Sequence, residues 1–162
     1  MRRRGLQITT LTLGVLIVAL TVTTAVLGVR TWQGKRDDDR RAAAVQAARQ
    51  MGVNLMSLNA ATAQKDLDRI VAGTTGKLKN TLSAQSKELL NQLNKTQAKS
   101  SVDQVEAGVV SMDGDSAEVM VSLNGTVTNP KVKNGAPRSF RYLMDLDRKG
   151  DRWLVADLEV VP

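Results

Sequence analysis

The chain has no cysteine and no histidine. Without cysteine there is no disulfide, no thiolate metal site and no thiol nucleophile. Without histidine the commonest general base, the usual partner of a catalytic serine and the commonest metal ligand are gone. Aromatics are nearly absent too, with one Phe, one Tyr and two Trp in 162 residues. Any pocket in this protein is therefore aliphatic, and a ligand that relies on stacking is a poor fit. Proton transfer is left to Asp, Glu, Lys, Arg and Tyr142. These absences argue against an enzyme, and no cofactor or metal is expected.

What is present begins with a long apolar run. Residues 6–29 carry no charge and are rich in Leu, Val and Ile. As a helix they rise about 36 Å at about 1.5 Å per residue. The hydrocarbon core of a bilayer is about 30 Å thick, so the run is long enough to span it with some tilt. The Arg2-Arg3-Arg4 cluster fits a signal peptide, but the run is too long for one and lacks a small-x-small cleavage site. The threonines in it are compatible with a span, because a helical hydroxyl bonds a carbonyl one turn back. The expected organisation is a short cytoplasmic tail (1–5), a transmembrane helix (6–29), a charged juxtamembrane linker (30–41) and a soluble domain (42–162). Basic residues flank the span on both sides, so charge alone does not orient it. The signal-anchor layout places the domain outside the cytoplasm, and Trp32 sits where an interfacial anchor would.

The net charge of +7 would suit a nucleic-acid binder if it were evenly spread. It is not. Residues 1–41 hold eight basic and three acidic groups, and residues 42–162 hold fifteen and thirteen. The excess belongs to the anchor and its flank, where arginine faces phospholipid headgroups. The bilayer is the expected partner, and nucleic acid is not.

Beyond the linker the apolar period is helical. Asp37-Asp38-Asp39 favour a helix start, and a helix is predicted over 38–58 with Val45, Ala48, Met51, Leu55 and Met56 on one face. Gly52 is its weak point. A short helix over 63–72 comes next, with Leu67, Ile70 and Val71 inward and Asp66 helping to cap it. Gly73-Thr74-Thr75-Gly76 ends it. A third helix is predicted over 77–99, with Leu78, Leu82, Leu89 and Leu93 on a stripe and Leu90 beside it.

At Ser101 the period changes to alternation. Val105, Ala107 and Val109 share one face, then Ala117, Val119, Val121, Leu123 and Val127, then Phe140, Tyr142, Met144 and Leu146. Asp113-Gly114-Asp115 and Lys149-Gly150-Asp151 signal tight hairpins, and residues 129–137, with two prolines, read as a longer turn. The last strand runs over 153–161. Helices followed by an antiparallel meander give an α+β fold, with the helices packed on a curved four-stranded sheet that closes a cone.

Four stretches then carry a family resemblance. They are Asp66 to Gly76 with its Thr-Gly turn, Gly108 to Ala117, Val127-Thr128-Asn129, and the ending Gly150-Asp151-Arg152-Trp153-Leu154-Val155-Ala156-Asp157-Leu158-Glu159. In this order, behind a membrane anchor, they resemble an actinobacterial Mce-associated membrane protein. The resemblance implies a soluble domain with the nuclear transport factor 2-like cone. It also implies a non-catalytic accessory that supports an Mce-type lipid import complex through contacts with envelope transport-complex proteins. It brings no catalytic residues.

The pattern also nominates candidate site residues. Asp157 shares a predicted strand face with Trp153 and Val155, and Tyr142 is the one phenol. In an apolar cone such groups could shuttle protons. The plainer reading pairs a half-exposed Asp157 with an arginine of the neighbouring strand, such as Arg141. Lys131, Lys133, Arg138 and Arg141 gather around the long turn as a docking surface for an acidic partner or headgroup, or as a solvated loop. The alternatives to the accessory role are an apolar ligand or an enzymatic site in the cone and, by fold analogy, an assembly component of a type IV secretion machine.

Overall fold

A computed structural model describes residues 35–162. The predicted span at 6–29 lies outside the described residues. Among the described residues no helix is long and apolar enough to cross a membrane. Arg41–Pro162 forms one compact unit.

Helix α1 covers residues 35–56. It starts before and stops just short of the range its spacing predicts. Its buried stripe is Ala44, Ala48, Met51 and Met56, at the spacing one helical face requires. Gly52 lies on the packed side. A Cβ there would come within 3.0 Å of Val121 and 3.2 Å of Leu123, so glycine lets the helix lie close over the sheet. That packing offsets its poor helix propensity. A 3-10 turn, Ala60–Thr62, is capped by Asn59, whose side-chain oxygen accepts the Ala61 N–H. Helix α2 is Ala63–Ala72, as predicted. Asp66 is buried within it and accepts bonds from the Thr62 hydroxyl at 2.7 Å and from the Asn59 N–H and Arg69 at 3.3 Å. It therefore ties the incoming turn to the helix. Helix α3 is Gly76–Thr96, closed by Gln97 in the left-handed region. None of its residues is fully buried; Leu78 and Leu82 are half-covered against the core and Leu89 is exposed.

Four strands complete the domain, β1 (Lys99–Asp113), β2 (Ser116–Asn129), β3 (Val132–Lys149) and β4 (Arg152–Val160), in one antiparallel sheet ordered β1-β2-β3-β4. Gly114-Asp115 and Gly150-Asp151 make the two predicted hairpin turns, each with its glycine at positive φ. The third hairpin differs from the sequence expectation. Residues 132–137 are not loop but the start of β3, and only Pro130-Lys131 turns. The Asn129 side chain accepts the N–H groups of Lys131 and Val132, each at 2.9 Å, which holds the turn tight. A bulge near Gly135 (φ 80°) absorbs the surplus residues.

The sheet's inner face meets the helices. Val119, Val121, Leu123, Met144, Leu146, Trp153 and Val155 are buried there with Met51, Met56 and Ile70. Side chains of this kind contribute about 1.5–3 kcal/mol each on burial, and they fill the space between helices and sheet. Phe140 and Tyr142 stack at 5.9 Å at the edge of this core. Two bulges in β1, at Asp103 and at Val110, explain why the alternation skips twice and leaves Val110 in solvent.

Candidate functional site

The last strand decides where the candidate carboxylate goes. Asp145 pairs with Asp157, but Leu146 pairs with Val155, so Ala156 is an extra residue in β4. A one-residue slip reverses the facing of every later residue in the strand. Trp153 and Val155 point inward; Asp157 points outward, and Leu158 takes the inner place. The predicted shared face of Asp157 with Trp153 and Val155 is thus corrected. Tyr142 lies inward, opposite Val121. Asp157 and Tyr142 are on opposite faces and do not form one proton-transfer pocket.

The partner of Asp157 is Lys77, not Arg141. Thr74 and Thr75 pair with Val155 at the sheet edge, with the Thr75 N–H donating to Val155 and the Val155 N–H to Gly73. This docks the first turn of α3 beside the bulge and brings Lys77 Nζ within 2.7 Å of the Asp157 carboxylate. The hydrogen bond from Lys77, followed by one from the Leu158 N–H, holds the Asp157 carboxyl below its ordinary value. The same bond raises the Lys77 ammonium above its own. Burial raises the Tyr142 phenol.

The pair therefore contributes in a defined window. A lowered Asp157 contributes above its ordinary 3.8 and loses that contribution as pH falls through its folded value. A raised Lys77 contributes below 10.5 and loses it as pH rises through its folded value. Both groups are exposed, so the effect on stability is small; the titration itself is the sensitive readout. Carbon-detected NMR of the Asp157 carboxyl in a Lys77→Met variant should show its pKa moving up toward the ordinary value. An unmoved titration would mean that the ion pair does not form in solution.

Around this pair the outer sheet face is acidic. Glu118, Asp145 and Asp157 are register partners across β2, β3 and β4. A groove of about 520 Å³ runs along them, lined also by Ser111, Asp113, Ser116 and Asp147. Among the described residues no group of carboxylates is arranged to hold a metal ion.

The four basic candidates do not stay together. Lys131 and Lys133 are exposed at the β2–β3 hairpin. Arg138 pairs with Gly125 on the inner-face register, and Arg141 pairs with Ser122 on the outer one. The Arg141 guanidinium donates to the Pro162 carbonyl at 3.4 Å and its own carbonyl accepts the Val161 N–H, so it fastens the C-terminus. Lys99, opposite Thr128, joins the hairpin instead. Asp145 stands in solvent, as its alternation with the apolar face of β3 predicts; Lys77 and Glu118 are not among the residues that spacing singles out. For Glu118 the signal is hairpin arithmetic, since two-residue turns set cross-strand partners, but the bulges shift the count.

Helices on one side of a four-stranded antiparallel meander give this domain a fold like that of nuclear transport factor 2-like proteins. A solved Ntf2-like protein involved in plasmid conjugation superposes with a TM-score of 0.52 at 17% identity, over 74% of this chain and 48% of that one. An IcmL-like type IV secretion system protein from Legionella pneumophila gives 0.57 at 10% identity, over 75% and 92%. The chain itself belongs to the family described as uncharacterized protein Rv1363c/MT1408-like, whose model matches residues 7–162. Uncharacterized protein Rv1363c of Mycobacterium tuberculosis is 25% identical over 165 residues. The match covers all of this chain and 63% of that relative, so the chain spans under two thirds of its length.

Proposed function

We propose that this protein is a membrane-tethered, non-catalytic accessory of a multiprotein envelope complex, acting through protein contacts made by its outer domain. The observation that carries this reading is that the two candidate proton-transfer groups lie on opposite faces of the sheet, Asp157 outward and Tyr142 inward. The space under the helices is filled by Met51, Met56, Leu123, Met144 and Trp153, while Asp145 and Asp157 stand on the outer face. A proton-transfer site needs its groups convergent on a bound substrate, and Asp157 and Tyr142 diverge. Within this role, the resemblance to Mce-associated proteins favours an Mce-type lipid import complex at the cell membrane, with the domain extracytoplasmic.

Complementation of a deletion strain tests this. Asp157→Asn and Tyr142→Phe keep shape and remove proton-transfer capacity, so lipid uptake should stay near the parental rate. A chain lacking residues 1–29 should fail even when its domain folds, because tethering supplies effective concentration at the complex. Loss of uptake in Asp157→Asn at normal protein level, together with rescue by the untethered domain, would overturn the accessory reading and favour a catalytic cone.

A second reading is an assembly component of a type IV secretion-like machine. The fold shared with the Legionella protein supports it, at an identity that speaks to fold alone. Mild-detergent co-purification separates the two, since the partners would be lipid-import proteins in one case and secretion proteins in the other.

A further inference from the structure

The outer sheet face holds a costly arrangement. Glu118 lies directly opposite Asp145, and Asp145 directly opposite Asp157, which sets three carboxylates in a row about 5 Å apart. Like charges in that relation destabilise a sheet. Lys77 pairs only with Asp157, and among the described residues Glu118 and Asp145 have no ion pair. The groove along this row is lined by further acids, Asp113 and Asp147.

The opposite end of the same strands has the opposite sign. The β2–β3 hairpin is a narrow two-residue turn bearing Lys131, with exposed Lys133 after it and exposed Lys99 on the adjacent strand. Asp103, the nearest acid along β1, accepts from Thr126. From the turn to Glu118 is eleven residues of β2, or about 37 Å at about 3.4 Å per residue. That is several screening lengths at physiological salt, so the two ends of one molecule cannot neutralise each other.

We propose that they neutralise each other between molecules: the β2–β3 hairpin of one copy of this chain docks in the acidic groove of the next, head to tail. Charge complementarity identifies the occupant. A slender basic tip and an acidic groove with two unpaired carboxylates are both present on one sequence. Because the two surfaces differ, the contact is heterologous and propagates into a ring or a short filament. The proposal deepens the protein-contact reading above and rests on it, naming a second copy as one of the partners.

Sedimentation velocity on the full chain in neutral detergent tests it. At about 0.01 M salt the protein should associate, and at about 1 M, where the screening length falls from about 30 to about 3 Å, the association should weaken at least tenfold. The double variant Lys131→Glu/Lys133→Glu should not associate by this contact, nor should Glu118→Lys/Asp145→Lys. Mixing the two should restore pairing, because the unaltered tip of the groove variant then meets the unaltered acidic groove of the tip variant, and restoration also shows that both variants are folded. A monomer at low salt, an association indifferent to the reversals, or a mixture that does not recover would each overturn the proposal. So would a tip reversal that abolishes binding to anionic phospholipid vesicles and leaves self-association intact, which would make a lipid headgroup the partner of the tip. None of these results bears on complementation, so the accessory role stands or falls separately.

Discussion

A Trp153→Ala protein is expected to lose about 3–5 kcal/mol of folding stability. Trp153 is the second residue of β4, 6% exposed, and belongs to the cluster that includes Ala117, Leu146 and Val155. Its ring covers the end of the core where the Gly150-Asp151 turn delivers the last strand. Nothing nearby can fill the vacated volume without moving the sheet, so the lost transfer free energy and the cavity add. For a domain of this size the melting temperature should fall by on the order of 10–20 °C. Leu154→Ala, on the outer face of the same strand, is the control and should cost much less. A Trp153→Ala domain that melts within a degree or two of the parent would show that the burial is misassigned.

Gly125→Ala should be nearly as damaging for the opposite reason. A Cβ at this inner-face position would collide with the Ser101 carbonyl and lie 2.6 Å from the Met56 methyl. The methionine is flexible and can yield; the carbonyl belongs to β1 and cannot yield without breaking its ladder. A cost of about 3 kcal/mol is expected, at the upper end for an added methyl in a packed core. Combining it with Met56→Ala should recover only part of that loss, since the backbone clash remains. Denaturant melts of the parent, the two single variants and the double variant measure this as a coupling. Full recovery in the double variant would mean that the side chain, and not the strand, sets the limit.

Much of this architecture is legible in the sequence because local patterns are strong. The 63–72 helix, the change of period after α3, the two Gly-Asp turns and the inward sets on β2 and β3 all come from spacing and turn chemistry. The departures have a common cause. Bulges have little sequence signature, and one with an odd surplus changes the phase of everything beyond it. The bulge at Ala156 reverses the predicted face of Asp157, and the one near Gly135 makes strand residues look like loop. The prolines strengthen that second misreading, although Pro130 occupies the turn itself. Gly52 misleads for another reason, because helix propensity does not register how close a neighbouring sheet comes. Lys77 is out of reach of spacing alone, since its meeting with Asp157 depends on how Thr74 and Thr75 dock at Val155, a contact between segments eighty residues apart.

Ala156 also bears on what this scaffold could become. Were Ala156 drawn into the ladder opposite Asp145 and the bulge lost, strict alternation would turn Asp157 toward the buried interior and Leu158 toward solvent. The carboxylate would move from a lysine-paired, aqueous setting to an apolar one that favours its protonated form. An inward acid next to the half-buried rings of Phe140 and Tyr142 is raw material for proton-transfer chemistry, and one bulge separates it from the present lysine-paired position. The bulge thus works as a phase selector, and in this chain it keeps the carboxylate outside.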